Sequence, residues 1–347
     1  MWPIWISSIF VRYCLLFPVR FCIFFTSSLL TLTVLVPLAW ISPPASPVVE
    51  TLMHIYMRAV LVGLGLHVHY HGKKPKLNQA HIFVANHTSV TDYAVASGQG
   101  RAHAVVAQAH GGVFGWMSRH VLRPLTASLL FDRNENRDRA IVAKRMKEHV
   151  ANLMANPLLI FPEGTCVNNE YTILFHKGAF ELDCIVCPVA IKYSKRFGDP
   201  YFNTRVQTFT AHLFYLMTRW VNKVDVYWVS PVKREANETS VDFTNRVKAL
   251  ISEKAGLKNL SWDGYLKNYR PNSEKQAKMR SRTRQDYQLE LKSKLALWSN
   301  YQPSEQDEKS PSLPAQDYFP DWLSEESRTD IQNEIMQQKC DSMNCEL

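Results

Sequence analysis

The first 49 residues of the chain are almost entirely apolar, with no acidic side chain and only two basic ones, Arg12 and Arg20. Within them, residues 21–41 carry no charge at all. A helix of that length rises about 1.5 Å per residue and spans the roughly 30 Å hydrocarbon core of a bilayer. The pattern therefore predicts a membrane-anchoring helix over 21–41. Residues 2–19 are also apolar, and they form either a second apolar helix or one arm of a helical hairpin.

After a proline-rich stretch at 42–47, short apolar runs alternate with helical patterns, which is typical of an α/β domain. One helical pattern begins at Ser240 and ends at Gly256. We therefore predict a membrane anchor over 1–47, followed by a mixed sheet flanked by helices over 48–270. The predicted strands are Leu66–Tyr70, Ile82–Ala85, Ser128–Phe131, Leu158–Phe161, Ile185–Tyr193 and Val224–Val229.

Two segments have a different character. Residues 211–221 are nearly all apolar or aromatic, and they predict a helix that is either buried or lies on the bilayer. Residues 271–347 are polar, and they predict a tail with one amphipathic helix over about 287–298. Beyond Pro303 the high content of Ser, Pro, Glu and Gln predicts disorder.

Composition narrows the classes of partner. The 347 residues carry a net charge of +9, which favours anionic partners such as nucleic acid, anionic lipid or a phosphorylated substrate. No zinc-finger, helix-turn-helix or RNP-type motif is present, so nucleic acid is not expected. The seven cysteines show no secreted-domain spacing, which indicates reduced thiols. Cys184 and Cys187 lie in an apolar run and are predicted to pack in the core.

Three histidines, His67, His69 and His71, alternate along the first predicted strand and therefore share one face. Such a face invites a metal-binding interpretation. No carboxylate or cysteine accompanies the three residues in the sequence, and we therefore expect no metal site here.

A second histidine lies in a more suggestive setting. The run Asn86-His87-Thr88-Ser89-Val90-Thr91-Asp92 directly follows a predicted strand. If Ser89 caps a helix, His87 lies in the preceding loop, and its imidazole can fold back onto the Asp92 carboxylate. A histidine oriented by an acid is the arrangement that activates a hydroxyl group. A histidine with an acid five residues later also occurs at His176 and Glu181, so the spacing alone is weak evidence, and Asp92 could instead be an ordinary helix-terminal acid.

The run Phe161-Pro162-Glu163-Gly164-Thr165 also follows a strand. The carboxyl ends of strands are where α/β folds bind ligands. Gly164 allows close approach of the backbone, and Glu163 can accept hydrogen bonds from a polyol. An ordinary turn would also fit this sequence.

Together the two runs resemble the glycerolipid acyltransferase superfamily, whose members share Asn-His-x-x-x-x-Asp and Phe-Pro-Glu-Gly-Thr. Similarity to its endoplasmic-reticulum glycerol-3-phosphate acyltransferases extends over about residues 8–270, through Phe131–Arg139, Phe161–Asn169 and Pro188–Tyr193. Two positions depart from that branch. Val90-Thr91 stands where the branch usually has Pro-Ile, and His176 stands where a Lys is common.

The resemblance implies an enzyme that transfers an acyl group from acyl-CoA to the sn-1 hydroxyl of glycerol 3-phosphate, giving lysophosphatidic acid for phospholipid and triacylglycerol synthesis. It assigns catalysis to His87 and Asp92. Binding of the acceptor is assigned to Arg133, Glu163, Gly164, Thr165 and Lys177. No acyl-enzyme is expected, because no cysteine or serine is paired with a second base. The alternatives are a lysophosphatidate or another lysophospholipid as acceptor, and a catalytically inactive membrane scaffold.

The implied partners are the lipid bilayer, acyl-CoA and glycerol 3-phosphate. Acyl-CoA is a substrate, and neither a cofactor nor a metal ion is expected. The implied location is the endoplasmic-reticulum membrane. Basic residues cluster after the anchor, at Arg58, Lys73, Lys74 and Lys76, and the positive-inside tendency then places the catalytic domain on the cytosolic side.

Overall fold

The computed structural model describes residues 2–42, 46–108, 112–131 and 136–264. Arg133, the amphipathic helix predicted at 287–298 and the whole tail over 271–347 lie outside the described residues, and their predictions stand as made.

The described residues contain a seven-stranded mixed sheet in the order β1-β8-β7-β2-β5-β3-β4. Every neighbouring pair is parallel except β7 and β8, so β1 and β8 run opposite to the other five strands. The predicted α/β class with a mixed sheet is confirmed, although strand β3 was not predicted. The strands are β1 (Leu66–His71), β2 (His81–Ala85), β3 (Ala104–Gln108), β4 (Leu129–Phe131), β5 (Leu158–Ile160), β7 (Ile185–Tyr193) and β8 (Asn222–Trp228). Two short strands, β6 (Tyr171–Thr172) and β9 (Lys258–Asn259), form a separate parallel pair.

Helices cover both faces of the sheet. We label the long N-terminal helix over 2–41 α1 and the composite helix over 112–126 α4. The others are α2 (Pro47–Gly63), α3 (Asp92–Ser97), α5 (Asn136–Ala151), α6 (Phe209–Met217) and α7 (Ser240–Ala255). Helix α7 is capped by the Thr239 hydroxyl, one residue before the predicted start, and it ends at Gly256 in the left-handed conformation (φ 60°) that glycine adopts readily.

Alternate side chains of the central strand β2 enter two hydrophobic cores. Phe83 and Ala85 pack on the side that α1, α2 and α3 cover, whereas Ile82 and Val84 pack on the side of α5 and α7. Cys187 and Cys184 are buried, one in each core, and burial raises the pKa of the Cys187 thiol to about 12 and that of Cys184 to about 11. The prediction of packed core thiols is confirmed.

Helix α1 is continuous, so the alternative of a helical hairpin is wrong. Pro18 does not break it, because the helix widens to π geometry over Val11–Leu16 just before the proline. By length and composition, its segment Trp5–Ile41 could cross a membrane. One face of the helix nevertheless packs on the α/β domain, where Leu35 and Val36 are buried.

An arginine fixes α1 to the end of α6. The Arg20 guanidinium donates to the carbonyl oxygens of Met217 (3.0 Å), Trp220 (2.8 Å) and Arg219. A Cβ atom on Gly65 would lie 2.6 Å from Arg20 Cζ, so this contact requires a glycine at that position. These carbonyls follow the last turn of a helix, where a positive charge is favourable.

Two sequence interpretations need revision here. The alternative of a buried helix is wrong for α6, because Phe214 is 41% exposed although His212 and Leu216 are buried, and its position on the bilayer stays a prediction. Lys74 does not belong to an exposed basic cluster. Its half-buried side chain donates to the carbonyls of Gln99 (3.0 Å) and Arg101 (2.8 Å), and the loss of hydration lowers its pKa to about 7.

Candidate active site

The parallel pairing of β2 with β5 brings the two sequence motifs to one edge of the sheet. Residue Val84 of β2 lies beside Ile160 of β5, so the loops that follow both strands leave the sheet side by side. Asn86 fixes the end of β2 to β7, since its amide group donates to the Ile191 carbonyl (2.9 Å) and accepts from the Ile191 N–H (2.8 Å). Asn86 and Glu163 are both buried, so the base of the site is closed to solvent.

His87 and Asp92 are in direct contact, as predicted. His87 Nδ1 lies 2.8 Å from Asp92 Oδ2, and the His87 side chain is 21% exposed. The predicted cap is wrong, however: α3 begins at Asp92 with Thr91 as its N-cap, so Ser89 lies in the preceding turn. The shorter helix keeps Asp92 in its first turn, and the imidazole reaches the carboxylate from the loop.

Asp92 is buried, and four donors surround its carboxylate. Besides the imidazole, Oδ2 accepts from the backbone N–H groups of Thr88 (2.6 Å) and Ser89 (2.9 Å). The phenol of Tyr193 donates to Oδ1 at 2.6 Å. Donors to both oxygens fix the orientation of the carboxylate. The carboxylate can therefore hold the Nδ1 proton of His87 and leave Nε2 as the basic nitrogen.

Glu163 joins the two motifs. Its Oε2 accepts from the backbone N–H of His87 (2.7 Å), and its Oε1 accepts from the N–H of Ile173 (3.1 Å). The side chain is only 1% exposed, and burial raises its pKa to about 8, against the opposing effect of the two N–H donors. On the other side of the histidine, the Val167 N–H donates to the His87 carbonyl (2.7 Å). The glutamate thus positions the backbone of His87, and its predicted contact with the acceptor stays a prediction.

The Phe-Pro-Glu-Gly-Thr turn also shapes the pocket around the imidazole. The ring of Phe161 stacks on that of His87, with ring centres 4.4 Å apart and planes 23° apart. Gly164 has φ +64° and donates its N–H to the Phe161 carbonyl (3.1 Å), which closes a tight turn that disfavours residues with a Cβ atom. Gly164 is exposed and Thr165 partly exposed, so both are open to a ligand.

A cysteine lies at the basic nitrogen of His87. Cys166 Sγ is 3.4 Å from His87 Nε2, which corrects the expectation that no cysteine is paired with a base. Burial lowers the pKa of His87, but its interactions with Cys166 and Asp92 act in the opposite direction and leave that pKa well above 6.5. The carboxylate contribution is the one that the geometry explains directly, because Asp92 stabilises the imidazolium form.

Not every predicted site residue is placed by the described structure. Arg133 is outside it. Lys177 follows His176, whose N–H donates to the Pro162 carbonyl (2.9 Å), so its backbone lies next to the turn. Its ammonium group pairs with Glu181 at 2.9 Å, and its assigned role stays a prediction.

Comparison with known proteins agrees with this geometry. A protein-family model described as Acyltransferase matches residues 67–192, which include His87, Asp92 and the Phe-Pro-Glu-Gly-Thr turn. Residues 67–192 are therefore similar to an acyltransferase domain. The matched residues extend from β1 into β7, and Tyr193, which donates to Asp92, follows them directly.

The matches to whole proteins are longer. The chain is 39% identical to glycerol-3-phosphate acyltransferase 3 of Homo sapiens over 266 residues, which are 76% of this chain and 61% of that protein. It is 37% identical to glycerol-3-phosphate acyltransferase 4 of Pongo abelii over 268 residues, 76% of this chain and 58% of that protein. The chain therefore spans less than two thirds of these relatives' length. The crystal structure of the LPA acyltransferase PlsC from Thermotoga maritima matches with a TM-score of 0.48 and 14% identity, over 69% of this chain and 96% of that one.

The structure adds two buried residues that support the site of the acyltransferase domain and that received no role from the sequence. Tyr193 lies 101 residues beyond Asp92, and its position at the end of β7 within the resembling stretch Pro188–Tyr193 was the only available signal. His212 of α6 lies with Nε2 3.2 Å from Ser89 Oγ, while its Nδ1 is 3.1 Å from Gln207 Oε1. No sequence pattern connected α6 with the turn that carries Asp92.

Proposed function

We propose that the chain transfers an acyl group from acyl-CoA to the sn-1 hydroxyl of glycerol 3-phosphate and forms lysophosphatidic acid. The observation that carries this proposal is the partly exposed imidazole of His87, whose Nδ1 is held by a buried carboxylate so that Nε2 is left as the basic nitrogen. The resemblance to glycerol-3-phosphate acyltransferases 3 and 4 supports the choice of acceptor.

In the proposed mechanism, Nε2 of His87 removes the proton from the acceptor hydroxyl as its oxygen attacks the thioester carbonyl of acyl-CoA. A carbon–oxygen bond forms, and the carbon–sulfur bond breaks. The proton held by His87 then passes to the departing thiolate. Asp92 stabilises the imidazolium in between, and such general-base assistance typically contributes about 10²–10⁴-fold to the rate. These steps use only side chains and the two substrates, and we propose no cofactor.

Binding of the acceptor is proposed for Arg133, Gly164, Thr165 and Lys177. A planar guanidinium can hold two phosphate oxygens at once, which suits Arg133 to the phosphate of glycerol 3-phosphate. If this is correct, Arg133→Lys raises KM for glycerol 3-phosphate much more than KM for acyl-CoA.

We also propose that the protein lies in the endoplasmic-reticulum membrane with the α/β domain on the cytosolic side. The apolar helix α1 and the basic residues Arg58, Lys73 and Lys76 that follow it support this orientation. Lys74 is left out of that argument because its half-buried ammonium group donates to the backbone carbonyls of Gln99 and Arg101.

A competition assay tests the proposed acceptor. Membranes containing the full chain are given labelled acyl-CoA with glycerol 3-phosphate, lysophosphatidate, or both at equal concentration. We expect labelled lysophosphatidic acid as the main product, and no product from membranes that contain the His87→Ala variant. Preferential labelling of phosphatidic acid would overturn the acceptor assignment in favour of lysophosphatidate. Absence of acyl transfer to any lysophospholipid or glycerol phosphate would overturn the enzymatic proposal and leave a membrane scaffold.

A further inference from the structure

The exposed face of β1 carries His67, His69 and His71, and the neighbouring strand β8 adds a carboxylate to that face. The parallel pairing of the two strands places Asp225 directly beside His69. Asp225 Oδ1 lies 2.7 Å from His71 Nε2 and 3.5 Å from His69 Nδ1. The expectation of no metal site depended on the absence of a nearby carboxylate in the sequence. The fold supplies one from 154 residues further along the chain.

We propose that His69, His71 and Asp225 bind a divalent transition-metal ion of the Zn²⁺ type. Imidazole nitrogen and carboxylate oxygen are ligands that Zn²⁺ binds well. The three ligand atoms lie within 4.8 Å of one another. Metal–ligand bonds of about 2.0–2.1 Å place tetrahedral ligands about 3.3 Å apart. Small side-chain rotations therefore suffice to close the site around an ion, and these side chains are exposed or half-buried and free to make them. Water completes the coordination.

Neighbouring groups leave the Asp225 carboxylate available to an ion. Lys192 is its in-register neighbour on the other side, in β7, but the Lys192 ammonium donates to the Asn169 carbonyl at 2.9 Å. Among the described residues, the ion-pair partners of Asp225 are the two imidazoles alone. The ring of Tyr227 stacks on His71, with centres 4.3 Å apart and planes 9° apart. This stacking keeps His71 Nε2 on the side of Asp225, as the groups around a metal ligand commonly do.

The location indicates a structural ion. Strand β1 is at the edge of the sheet, three strands from β2, which corresponds to about 14 Å at the usual spacing between strands. Through the register of β8, β7 and β2, His71 lies level with Asn86, so the separation of the ion from His87 is the lateral distance across these strands. An ion held by both β1 and β8 would link the edge strand to its single neighbour. It would stabilise the folded protein in proportion to its occupancy.

Zinc titration of the full chain in detergent tests the proposal. The protein is stripped with EDTA and dialysed, ZnCl₂ is added, and the number of bound equivalents and the rise in Tm are measured. We expect His71→Ala and Asp225→Asn to bind one equivalent fewer than the parent and to lose most of the rise in Tm. His67→Ala is the matched control, because His67 lies on the same face of the same strand but outside the cluster, and it should retain both.

Zinc bound by other histidines and cysteines of the chain is the same in every variant. A difference between the variants therefore reports on this site alone. The proposal is overturned if His71→Ala and Asp225→Asn bind as many equivalents, with the same affinity, as His67→Ala. If the Tm of His71→Ala or Asp225→Asn in EDTA falls below that of the parent, His69→Gln takes the place of that variant. This substitution keeps a polar side chain on the exposed face. Acyl transfer measured in EDTA should be unchanged in all of them, and a loss there would overturn the structural role of the ion.

Discussion

Two histidine–aspartate pairs lie at the same sheet, and their contact distances are nearly equal. The His87 Nδ1–Asp92 Oδ2 distance is 2.8 Å, and the His71 Nε2–Asp225 Oδ1 distance is 2.7 Å. Their surroundings differ. The Asp92 side chain is fully buried, whereas that of Asp225 is 39% exposed. Two backbone N–H groups and a phenol also donate to Asp92, while the described ion pairs of Asp225 are with imidazoles only.

The difference shows that contact distance alone does not identify a catalytic pair. An exposed ion pair contributes about 0–1 kcal/mol, because water screens the charges and the side chains remain free to separate. At His87 the Asp92 carboxylate is shielded from water, and its four donors hold it in place. The imidazole then has one nitrogen, Nε2, that can act as a base. The same exposure that makes the His71 pair weak makes it accessible to an ion.

The largest expected effect separates the two pairs by activity. We expect His87→Ala to lower kcat for acyl transfer by about 10²–10⁴-fold, because the general base is lost. His71→Ala is the matched change in the exposed pair, and we expect less than a twofold effect. Initial rates in EDTA, together with Tm as a check on folding, test this contrast. Equal losses in the two variants would show that burial does not distinguish the pairs.

Asp92→Asn tests the contribution of the enclosed charge. The amide has nearly the same shape, so the fold should persist, while the imidazolium loses its stabilising partner. We expect kcat/KM to fall about 10²-fold, at the lower end of general-base effects. The base works only as neutral imidazole, so kcat/KM in the parent rises with pH through the His87 pKa, with a midpoint above 6.5.

The same variant has a second readout in the pH profile. Asp92 raises the pKa of His87, so its replacement should move the midpoint of the rise toward lower pH. Asp225→Asn, the matched change in the exposed pair, should leave the midpoint in place. A profile of Asp92→Asn that coincides with that of the parent would contradict the orienting role of Asp92.

Glu163→Gln tests the link between the two motifs. Glu163 accepts from two backbone N–H groups, and a glutamine must turn its NH₂ group toward one of them. A buried donor without an acceptor costs about 1–3 kcal/mol, so we expect a loss of that size in the free energy of unfolding, measured by denaturant titration. Activity should fall less than in His87→Ala.

The pH dependence of stability gives an independent check on Glu163. The unfolded chain releases this proton near pH 4.5, whereas burial delays its release in the folded chain to about pH 8. The folded state therefore binds more protons between these values, and the stability contributed by this group is lost as pH rises through about 8. Tm should fall less over this range in Glu163→Gln than in the parent. Parallel curves would show that Glu163 is ionised throughout.

The contrast between the two pairs also explains what could be predicted from the sequence. The contact of His87 with Asp92 is local, because the two residues are only five positions apart in the chain, and strand β2 is recognisable by its apolar run. The cap at Ser89 was wrong because the Asp92 N–H donates to the Ser89 carbonyl (3.1 Å) and closes a separate turn, so that the regular helix begins only at Asp92.

Long-range partners were beyond such reasoning. Asp225 meets His69 and His71 only through the register of the parallel pair β1 and β8, and no local pattern specifies that register. Tyr193 reaches Asp92 through the neighbouring position of β7 in the sheet. Helix α1 was divided at Pro18 because proline usually ends a helix, whereas a preceding π segment accommodates it here.

The smallest expected effect concerns Cys166, whose Sγ lies 3.4 Å from His87 Nε2. If the acceptor oxygen attacks acyl-CoA directly, Cys166→Ala keeps the base and should change kcat less than tenfold. If the acyl group instead passes through Cys166, the nucleophile is lost and the variant should be as inactive as His87→Ala. Two-substrate kinetics of the parent separate the routes independently, since direct transfer gives intersecting lines and an acyl-cysteine gives parallel ones. We expect intersecting lines, because the buried carboxylate orients Nε2 toward the partly open site where the acceptor hydroxyl must enter.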